Sequence, residues 1–368
     1  MTDPLVSICI PTYNAQKTIA ETLRSVLRQT YSHLEVLVVD NASEDGTLQI
    51  VRQFDDPRIV THRNKENVGG EGNFTKCVEL ATGQYIAVFH ADDVYLPNMV
   101  SRQLQTFHEN PSVAAVFTLH KTIDEDGKIL QSQTLPTELR GRGLVGFDEV
   151  FVAMLRHGSF LTCPSAMVRA DVYKKAIPFD SVRFGFAADL AMWLSIVEHH
   201  PIAVVEEHLM HYRVSGSHGS WTASYLRTQP ADYFRVMDHY LSHTAGVIEI
   251  PRDALADYEF ARVLDAIRCG KNHLIKEEVA EARRALRKTV SPAALGGAAR
   301  SIRRPRLLVS WTIGVGMLCG ISVGLGKHLR KAAWWLEYGR KKRVMYKWLR
   351  RPADKNQNAS DLPEASKR

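Results

Sequence analysis

The fold of this chain is decided by residues 5–47, which read LVSICIPTYNAQKTIAETLRSVLRQTYSHLEVLVVDNASEDGT. Leu5–Ile10 and Leu34–Val39 are short apolar runs, as expected for strands buried on both faces of a parallel sheet. Between them, apolar residues recur at the spacing of one helix face, namely Ile19, Leu23, Val26 and Leu27. This order of strand, helix and strand predicts an α/β protein with a Rossmann-like, mainly parallel open sheet flanked by helices.

Both strands of this stretch run into polar residues. The first strand is expected to stop at Pro11, because proline cannot donate to a strand ladder. The second ends in Asp40 and Asn41, and Thr47 after the turn is expected to cap the next helix. Right-handed crossovers place such strand ends on one edge of the sheet, where α/β proteins bind their ligands.

A third apolar run leads into a pair of carboxylates. Residues 85–97 read YIAVFHADDVYLP, so strand-forming residues from Tyr85 to His90 precede Asp92 and Asp93. Two adjacent like charges repel each other, and a divalent cation usually offsets them. Taken alone, the pair is equally consistent with a solvated turn, but the two polar strand ends described above favour a ligand site.

Two stretches of the chain, VSICIPTYNAQKTIAETLRSVLRQTYSHLEVLVVDNASEDGT and NVGGEGNFTKCVELATGQYIAVFHADDVYLP, resemble family 2 glycosyltransferases of the GT-A fold. The resemblance is clear over residues 1–100 and can be followed to about Ser220. It implies that the nucleotide of a sugar donor lies across the first two strand ends. It also implies that Mg²⁺ or Mn²⁺ joins the diphosphate to the acidic pair, because both are hard cations that bind carboxylate and phosphate oxygens.

The same resemblance implies a role for individual residues. Asp93 would be a metal ligand, and Asp92 would face the ribose or assist the metal. Asp40 would accept a hydrogen bond from the base, and Thr12 and Tyr13 would pack against the base or bond to it. The residues expected to contact the nucleotide-sugar are Pro11, Thr12, Tyr13, Asn14, Asp40, Asn67, Gly69, Asp92 and Arg213.

Two departures from the family pattern lie within residues 1–100. His90 stands where the family more often has an aspartate, and we interpret it as a variation between subgroups, since a histidine at a strand end is more often structural than a ligand. The segment Asn67–Asn73 lacks the arginine that many relatives carry there. Its three glycines suit either a flexible loop or a close approach to a phosphate with a helix start near Asn73. Diphosphate binding would then depend more on the metal or on Arg213.

Glycosyl transfer also requires a general base, and Asp189 is the candidate. It precedes a helical apolar face formed by Leu190, Trp193, Leu194 and Val197. A carboxylate in this position can also simply cap the helix. The resemblance implies that Asp189 removes the proton of the attacking hydroxyl, although Ala188 replaces the glutamate that often precedes the base in the family.

Residues 208–220 read HLMHYRVSGSHGS and share Tyr212 and Arg213 with the family. Ser215 stands where the family often has a histidine, and whether His218 replaces that histidine stays open. A glycine-containing loop that carries Arg213 is able to close over a diphosphate. An ordinary surface loop is the alternative.

Composition narrows the class of protein. The chain has 368 residues and a net charge of +7, yet no RNA- or DNA-binding motif accompanies that charge, so no nucleic-acid partner is expected. The five cysteines show no CxxC spacing, which indicates neither zinc nor a disulfide framework and fits a reducing cytoplasm. No signal peptide is expected, because the chain enters its first strand at once.

After Ser220 the sequence changes to Ala, Leu, Arg and Glu at helical spacing, and an apolar segment follows at Leu307–Leu325. We therefore predict four regions: a GT-A catalytic domain over 1–225, a helical region over 226–300, a hydrophobic and basic membrane-associated segment over 301–351 and a disordered tail over 352–368.

The apolar segment is flanked by lysines and arginines, which favour an anionic membrane surface. A complete crossing would export the cations that follow it, against the positive-inside rule. A re-entrant or interfacial helix, attached to the cytoplasmic face through residues 303–351 with both termini in the cytoplasm, is expected instead. Gly316, Gly320 and Gly324 fall at a spacing of four and predict close packing against another helix.

The sequence thus predicts an inverting, metal-dependent glycosyltransferase. Its donor would be a nucleotide-sugar, with a UDP-sugar favoured, and its acceptor a lipid-linked or growing surface glycan. A catalytically inactive, nucleotide-binding regulatory protein would keep Asp40 and Asp93 but transfer nothing. A doubly wound dehydrogenase would need a Gly-x-Gly-x-x-Gly turn after the first strand, and Pro11–Asn14 is not such a turn.

Overall fold

The computed structural model describes residues 3–176, 179–214, 227–244, 248–300, 305–326, 328–330 and 332–333. These residues divide into two compact units. The first contains the described residues up to 214 and those from Pro230 to Arg262, and the second contains 227–229 and the described residues from Val263 onward. The tail at 352–368 lies outside the described residues, and the boundaries at 225, 300 and 351 stay predictions.

Among the described residues of the first unit, ten strands form one sheet. They are β1 Val6–Thr12, β2 Leu34–Asp40, β3 Ile59–Arg63, β4 Tyr85–Val88, β5 Val94–Tyr95, β6 Ala115–Ile123, β7 Ile129–Ser132, β8 Leu144–Val145, β9 Met167–Arg169 and β10 Ile202–Arg213. The order is β3-β2-β1-β4-β9-β6-β10-β5, with β7 beside β6 and β8 beside β10. The four neighbouring strands β3, β2, β1 and β4 are parallel to one another, and β6 is parallel to β10. Strand β9 is antiparallel to both of its neighbours, β4 and β6. The predicted open, mainly parallel sheet is confirmed.

Helices precede and follow these strands along the chain, and the predicted helical region after the sheet is confirmed. They are α1 Ile19–Leu27, α2 Thr47–Val51, α3 Gly69–Leu80, α4 Met99–Glu109, α5 Phe147–His157, α6 Ala170–Ala176, α7 Ser181–Phe184, α8 Ala188–His199, α9 Asp232–His243, α10 Arg252–Ile275, α11 Val279–Leu286, α12 Pro292–Arg300 and α13 Pro305–Ser322. Short 3-10 turns lie at Thr137–Leu139, Cys163–Ser165, Gly185–Ala187 and Arg287–Val290.

The sheet has a hydrophobic core on each face. Ile8 and Ile10 of β1 belong to one cluster together with the buried face of α1. The residue between them, Cys9, belongs to the other cluster together with Cys77 of α3 and Trp193 of α8. Because both faces are buried, β1 reads as a continuous apolar run and not as an alternating one.

Strand β1 continues through Pro11 to Thr12, beyond the stop predicted at Pro11. The Thr12 carbonyl accepts the Asn41 N–H on the β2 side, and the Cys9 carbonyl accepts the Phe89 N–H on the β4 side. Residues of a parallel strand bond to the two sides in alternation, so Pro11 belongs to the β4 side, where the ladder has already ended at Cys9. Pro11 lacks an N–H, but no strand among the described residues lies beside it on that side to accept one. The strand therefore continues past the proline without losing a hydrogen bond, and the prediction was wrong.

In the second unit, the apolar segment predicted from the sequence forms α13. A Cβ added at Gly314 would lie 2.6 Å from the Ile267 side chain, so this glycine allows a close approach. Close packing was instead predicted along Gly316, Gly320 and Gly324. Only Gly320 of these has a near neighbour, Leu329, and nothing lies within 4 Å of a Cβ added at the other two. The prediction therefore holds at Gly320 alone, because the helix turns a different face, which includes Gly314, toward the rest of the unit.

Candidate active site

The carboxyl ends of β1, β2 and β4 lie at one edge of the sheet, where the sequence predicted a ligand site. Thr12 at the end of β1 stands opposite Asp40 at the end of β2. Strand β4, on the other side of β1, leads into the segment His90–Asp93 before β5 begins. The parallel register therefore brings three polar segments to one edge, although they are far apart in the sequence.

His90, Asp92 and Asp93 form a cluster whose ligand atoms all lie within 4.8 Å of one another. Ligands on opposite sides of an octahedral Mg²⁺ are about 4.2 Å apart, so the cluster has nearly the dimensions of a metal site. Asp93 is completely buried, whereas His90 and Asp92 are half-buried. His90 was interpreted from the sequence as a variation between subgroups, and the structure adds it to the candidate metal ligands. The position of His90 two residues before the acidic pair was the feature of the sequence that could have indicated a metal ligand.

The charge of the Asp93 carboxylate is only partly compensated, since His90 Nδ1 lies 3.8 Å from its Oδ2 and the charge of Arg213 also acts on it. Its Oδ1 accepts the Arg213 backbone N–H at 2.8 Å, but its buried Oδ2 has no hydrogen-bond partner among the described residues. Burial, and then the charge of Asp92, raises the pKa of Asp93 well above its ordinary value, against the opposing effect of Arg213. A divalent cation would supply the missing positive charge, so these residues fit Mg²⁺ or Mn²⁺.

Arg213, the last residue of β10, is buried beside this cluster. Its Nε donates to the Asp92 carbonyl at 2.8 Å, and one Nη donates to the carbonyls of Asp124 and Glu125 at 3.2 Å each. The other Nη donates to Glu21 Oε2 at 2.6 Å. Every guanidinium nitrogen thus has a protein acceptor. These contacts favour a role in positioning the acidic pair, and the predicted contact of Arg213 with a diphosphate stays a prediction.

Asp40 is completely buried at the end of β2. Its Oδ2 accepts the Ser43 N–H at 3.0 Å and lies 3.5 Å from Arg63 Nε. Its Oδ1 lies 3.4 Å from the Thr12 hydroxyl, which donates to it. Asp40 therefore fixes the turn after β2 next to the end of β1. The predicted contact between Asp40 and a nucleotide base stays a prediction.

The loop after β1 is tied to the loop after β2. Asn14, whose φ of 49° is left-handed, donates its N–H to Ser43 Oγ at 2.9 Å and accepts the Glu44 N–H at 3.0 Å. Thr47 was predicted to cap α2, but it is the first residue of that helix. The prediction was wrong because the Thr47 hydroxyl accepts a backbone N–H from the loop after β1. The side chain of Tyr13 remains 48% exposed at this surface, where a planar base can stack on it.

Asparagine side chains join the glycine-rich segment to the end of β2. Asn41 Nδ2 donates to Asn67 Oδ1 at 2.7 Å and to the Gly69 carbonyl at 3.0 Å. Asn64 Nδ2 donates to the Oδ1 atoms of Asn41 and Asn73. Asn67 Oδ1 also accepts the Gly69 N–H at 2.9 Å, and α3 begins at Gly69. The predicted start near Asn73 was wrong, because Asn67 forms an Asx turn with the Gly69 N–H and the helix follows that turn directly.

Asp189 lies in the first turn of α8, as predicted, but it does not occupy the cap position. That position belongs to Ala187, and the Asp189 carboxylate accepts the neighbouring Leu190 N–H at 2.8 Å. Burial raises the pKa of Asp189 to about 6, the charge of Glu71 raises it further, and the backbone hydrogen bond to Leu190 opposes both. A carboxyl group with this pKa is a base near neutral pH and a stronger one than an ordinary aspartate.

Asp189 shares its surroundings with the acidic pair. Burial raises the pKa of the Tyr212 phenol, and the charges of Asp93, Asp92 and Asp189 raise it further. The Cys163 thiol shows the same pattern, since burial and then the charges of Asp189 and Asp93 raise its pKa. Charge effects of this kind decline with distance, so groups that act on the same phenol and the same thiol lie in one region of the protein.

These features together define a protein of the GT-A class. The sequence profile of Glycosyl transferase family 2 matches residues 7–176. A putative teichuronic acid biosynthesis glycosyltransferase of Bacillus subtilis, TuaG, is 31% identical over 228 residues, which are 60% of this chain and 84% of TuaG. The Escherichia coli UDP-Glc:alpha-D-GlcNAc-diphosphoundecaprenol beta-1,3-glucosyltransferase WfgD is 38% identical over 110 residues, which are 30% of this chain and 44% of WfgD. The chain belongs to glycosyltransferase family 2, and it is a glycosyltransferase.

Solved structures share the fold. Residues 1–349 of TarS from S. aureus superpose with a TM-score of 0.52 at 17% identity, over 91% of each chain. The mannosyltransferase PcManGT from Pyrobaculum calidifontis, solved with GDP-Man and Mn²⁺, superposes with a TM-score of 0.50 at 18% identity, over 88% of this chain and 87% of that one.

The family profile ends at residue 176, before Asp189 and Arg213. The roles assigned to the individual site residues therefore stay predictions. Ser215 and His218, in the loop that follows Arg213, lie outside the described residues.

Proposed function

We propose that this enzyme transfers a sugar from a nucleoside-diphosphate donor to a hydroxyl group of a surface glycan, with inversion at the anomeric carbon and with a divalent cation. The observation that supports this most is the position of Asp189, a half-buried carboxyl whose pKa is raised to about 6 and which lies in the same region as Asp92 and Asp93. A base and a site for the leaving diphosphate are the two requirements of a single displacement. Membership of the family favours the enzyme over an inactive nucleotide-binding protein.

In this reaction the acceptor oxygen forms a bond to the anomeric carbon while the bond from that carbon to the diphosphate oxygen breaks. Asp189 accepts the proton of the attacking hydroxyl, and the bonding electron pair leaves with the nucleoside diphosphate. Attack opposite the leaving group inverts the configuration, as in single-displacement glycosyl chemistry generally. Because the pKa of Asp189 is about 6, its carboxylate is ionised at neutral pH and ready to accept the proton.

Asp93 and Asp92, with His90 beside them, would hold Mg²⁺ or Mn²⁺, which as a Lewis acid would stabilise the charge on the leaving diphosphate. Arg213 fixes the backbone of this pair from within the protein. Tyr13 offers an exposed aromatic face at the ends of β1 and β2, where we place the base of the nucleotide. Ordering these groups before substrate arrives reduces the reorganisation that the reaction would otherwise require.

The relatives suggest the substrates. WfgD is named for UDP-Glc and a diphosphoundecaprenol acceptor, and TuaG for teichuronic acid biosynthesis. We therefore propose a UDP-sugar as the donor and a lipid-linked or growing surface glycan as the acceptor.

We expect slow hydrolysis of a UDP-sugar by the purified full-length chain with Mn²⁺, and loss of that hydrolysis in EDTA. Release of UDP, GDP and dTDP from a panel of sugar donors measures both the metal requirement and the nucleotide preference. Free UDP should inhibit at least about tenfold better than GDP, a difference of about 1.4 kcal/mol in binding. Turnover that is unchanged by EDTA would contradict the metal, and tighter inhibition by GDP would contradict the UDP-sugar.

We expect Arg213→Lys to weaken Mn²⁺-dependent binding of UDP at least about tenfold. Lysine keeps the charge, but it cannot bond at once to the Asp92 carbonyl, to Glu21 and to the carbonyls beyond them, so the acidic pair loses its support. Isothermal titration with UDP and Mn²⁺, far below the melting temperature, measures the loss. The control is Glu21→Gln, since this half-exposed partner contributes little, and we expect less than about a threefold change. Wild-type affinity in Arg213→Lys would disprove the positioning role.

A further inference from the structure

Helix α13 leaves an uncharged face exposed from Val309 to the end of the helix. The exposed positions recur every three or four residues, and they are Val309, Thr312, Gly316, Cys319 and Val323, the last just after the helix ends. Val309 is 57% exposed and Val323 is 73% exposed, and Leu325 next to them is 48% exposed. An apolar face of this kind is costly in water unless something covers it.

The opposite side of α13 is fixed to the second unit. Met317 and Ile321 are buried there, and Gly314 allows the close approach of Ile267. Trp311 Nε1 donates to the Thr289 carbonyl at 2.9 Å, and an Nη atom of Arg283 donates to the Ile321 carbonyl at 3.0 Å. The exposed face is therefore held outward by contacts that set the rotation of the helix about its axis.

The chain around this face is strongly basic. Residues 279–351 contain eighteen lysines and arginines and only two acidic residues, Glu281 and Glu337. Those among them that the structure shows as exposed include Arg284, Arg287, Lys288, Arg300 and Arg330. The basic and aromatic residues from 334 to 351 lie outside the described residues. Two copies of such a surface repel each other, so charge argues against a second copy as the cover.

We propose that this face of α13 docks on an anionic phospholipid bilayer, with the helix lying in the plane of the headgroups. An apolar face bordered by lysines and arginines has the chemistry of an interfacial helix, because the apolar side enters the acyl boundary and the cations contact the lipid phosphates. No helix among the described residues has both the length and the apolar character that crossing a membrane requires. The proposal does not depend on the proposed reaction, since docking is measured without any donor.

The first test is sedimentation of the full-length chain with vesicles. We expect binding to phosphatidylcholine vesicles that contain phosphatidylglycerol, and at least about tenfold weaker binding to phosphatidylcholine alone. Raising the salt from about 50 mM to about 500 mM should release part of the bound protein, because salt screens the cations but not the apolar contact. A chain that does not sediment with the anionic vesicles at low salt would overturn the proposal.

Cys319 provides a native reporter on the same face. It is exposed, whereas Cys9, Cys77, Cys163 and Cys269 are buried. A water-soluble maleimide should therefore label Cys319 selectively, and saturating anionic vesicles should slow that labelling at least about tenfold if the face enters the lipid. An unchanged labelling rate on vesicle-bound protein would show that another surface makes the contact, and the proposal would fail.

The double variant Val309→Glu with Val323→Glu places two charges on the docking face. We expect it to lose at least about tenfold in affinity for anionic vesicles, because the apolar contact is lost and the new charges repel the lipid. The control is Val182→Glu, at a valine of the first unit that is 98% exposed, which should bind like wild type. Wild-type binding by the double variant would overturn the proposal. So would sedimentation equilibrium showing a stable dimer that only the double variant breaks, since a second copy would then cover the face.

Discussion

Asp93→Asn should abolish sugar transfer, by at least about 10³-fold, while leaving the protein folded. Asparagine has the shape of aspartate and retains an oxygen that can accept the Arg213 N–H, but it removes the charge that a cation would bind. Because burial raises the pKa of Asp93, its ionised form is unfavourable in the folded protein, and we expect no loss of melting temperature in the variant. Transfer assays and thermal melts of the same preparation measure both effects.

Calorimetry identifies the cause of this loss. With Mn²⁺ present, UDP should bind wild type more tightly than with EDTA, and in Asp93→Asn the two affinities should become equal. Asp148→Asn removes a carboxylate that is exposed on α5 and serves as the matched control, with transfer and binding expected at wild-type level. Metal-dependent affinity that survives in Asp93→Asn would exclude Asp93 as a metal ligand, whatever happens to turnover.

Local sequence patterns were sufficient to predict the sheet and its polar edge. The runs Leu5–Ile10 and Leu34–Val39 fixed two parallel strands, and the carboxylates that follow the apolar runs placed Asp40 at the end of β2 and Asp93 in the segment between β4 and β5. Both inferences need only neighbours in the sequence, because a strand end is defined by where its own apolar run stops.

Contacts between distant segments were beyond this reasoning. Pro11 is tolerated because β4 has already left the ladder on its side, and no local pattern around Pro11 shows where β4 ends. Arg213 meets Asp93 across 120 positions of sequence, and nothing near Arg213 indicates that its donors are taken by backbone carbonyls. The family resemblance implied that Arg213 contacts a diphosphate, whereas in the structure its guanidinium donates to oxygens of the protein.

The four asparagines near the end of β2 were predictable only in part from local sequence. Asn41, Asn64, Asn67 and Asn73 are each visible in the sequence, and asparagine favours turns and helix starts. The hydrogen bonds between their side chains join the end of β2 to the start of α3. Predicting these bonds requires knowing how three separate segments are aligned in the fold. Asn67 alone indicated a turn before Gly69, since an asparagine side-chain oxygen can accept the backbone N–H two residues further on.

Asp189→Asn should lose about 10²–10⁴-fold in transfer and yet still bind the donor. An amide cannot take the proton of the acceptor hydroxyl, but it can still accept the Leu190 N–H. Wild-type kcat/KM should rise with pH to a plateau with a midpoint near 6, as the carboxyl loses its proton, and the residual activity of the variant should lack this step. Full activity in Asp189→Asn would exclude it as the base.

The same substitution should raise the stability of the protein, which an ordinary helix cap would not do. The pKa of Asp189 is raised by burial from 3.8 to about 6, so the folded state binds the proton more tightly than the unfolded state does. The stability that this proton contributes is complete below pH 4 and is lost as the pH rises through 6, at a cost of about 3 kcal/mol. Asparagine carries no such cost. Melts of wild type and Asp189→Asn should therefore coincide near pH 4 and separate by pH 7, with the variant melting higher. A variant that melts lower than wild type at pH 7 would show that the Asp189 carboxylate stabilises the helix. That result would contradict a destabilising, half-buried charge with a raised pKa at this position.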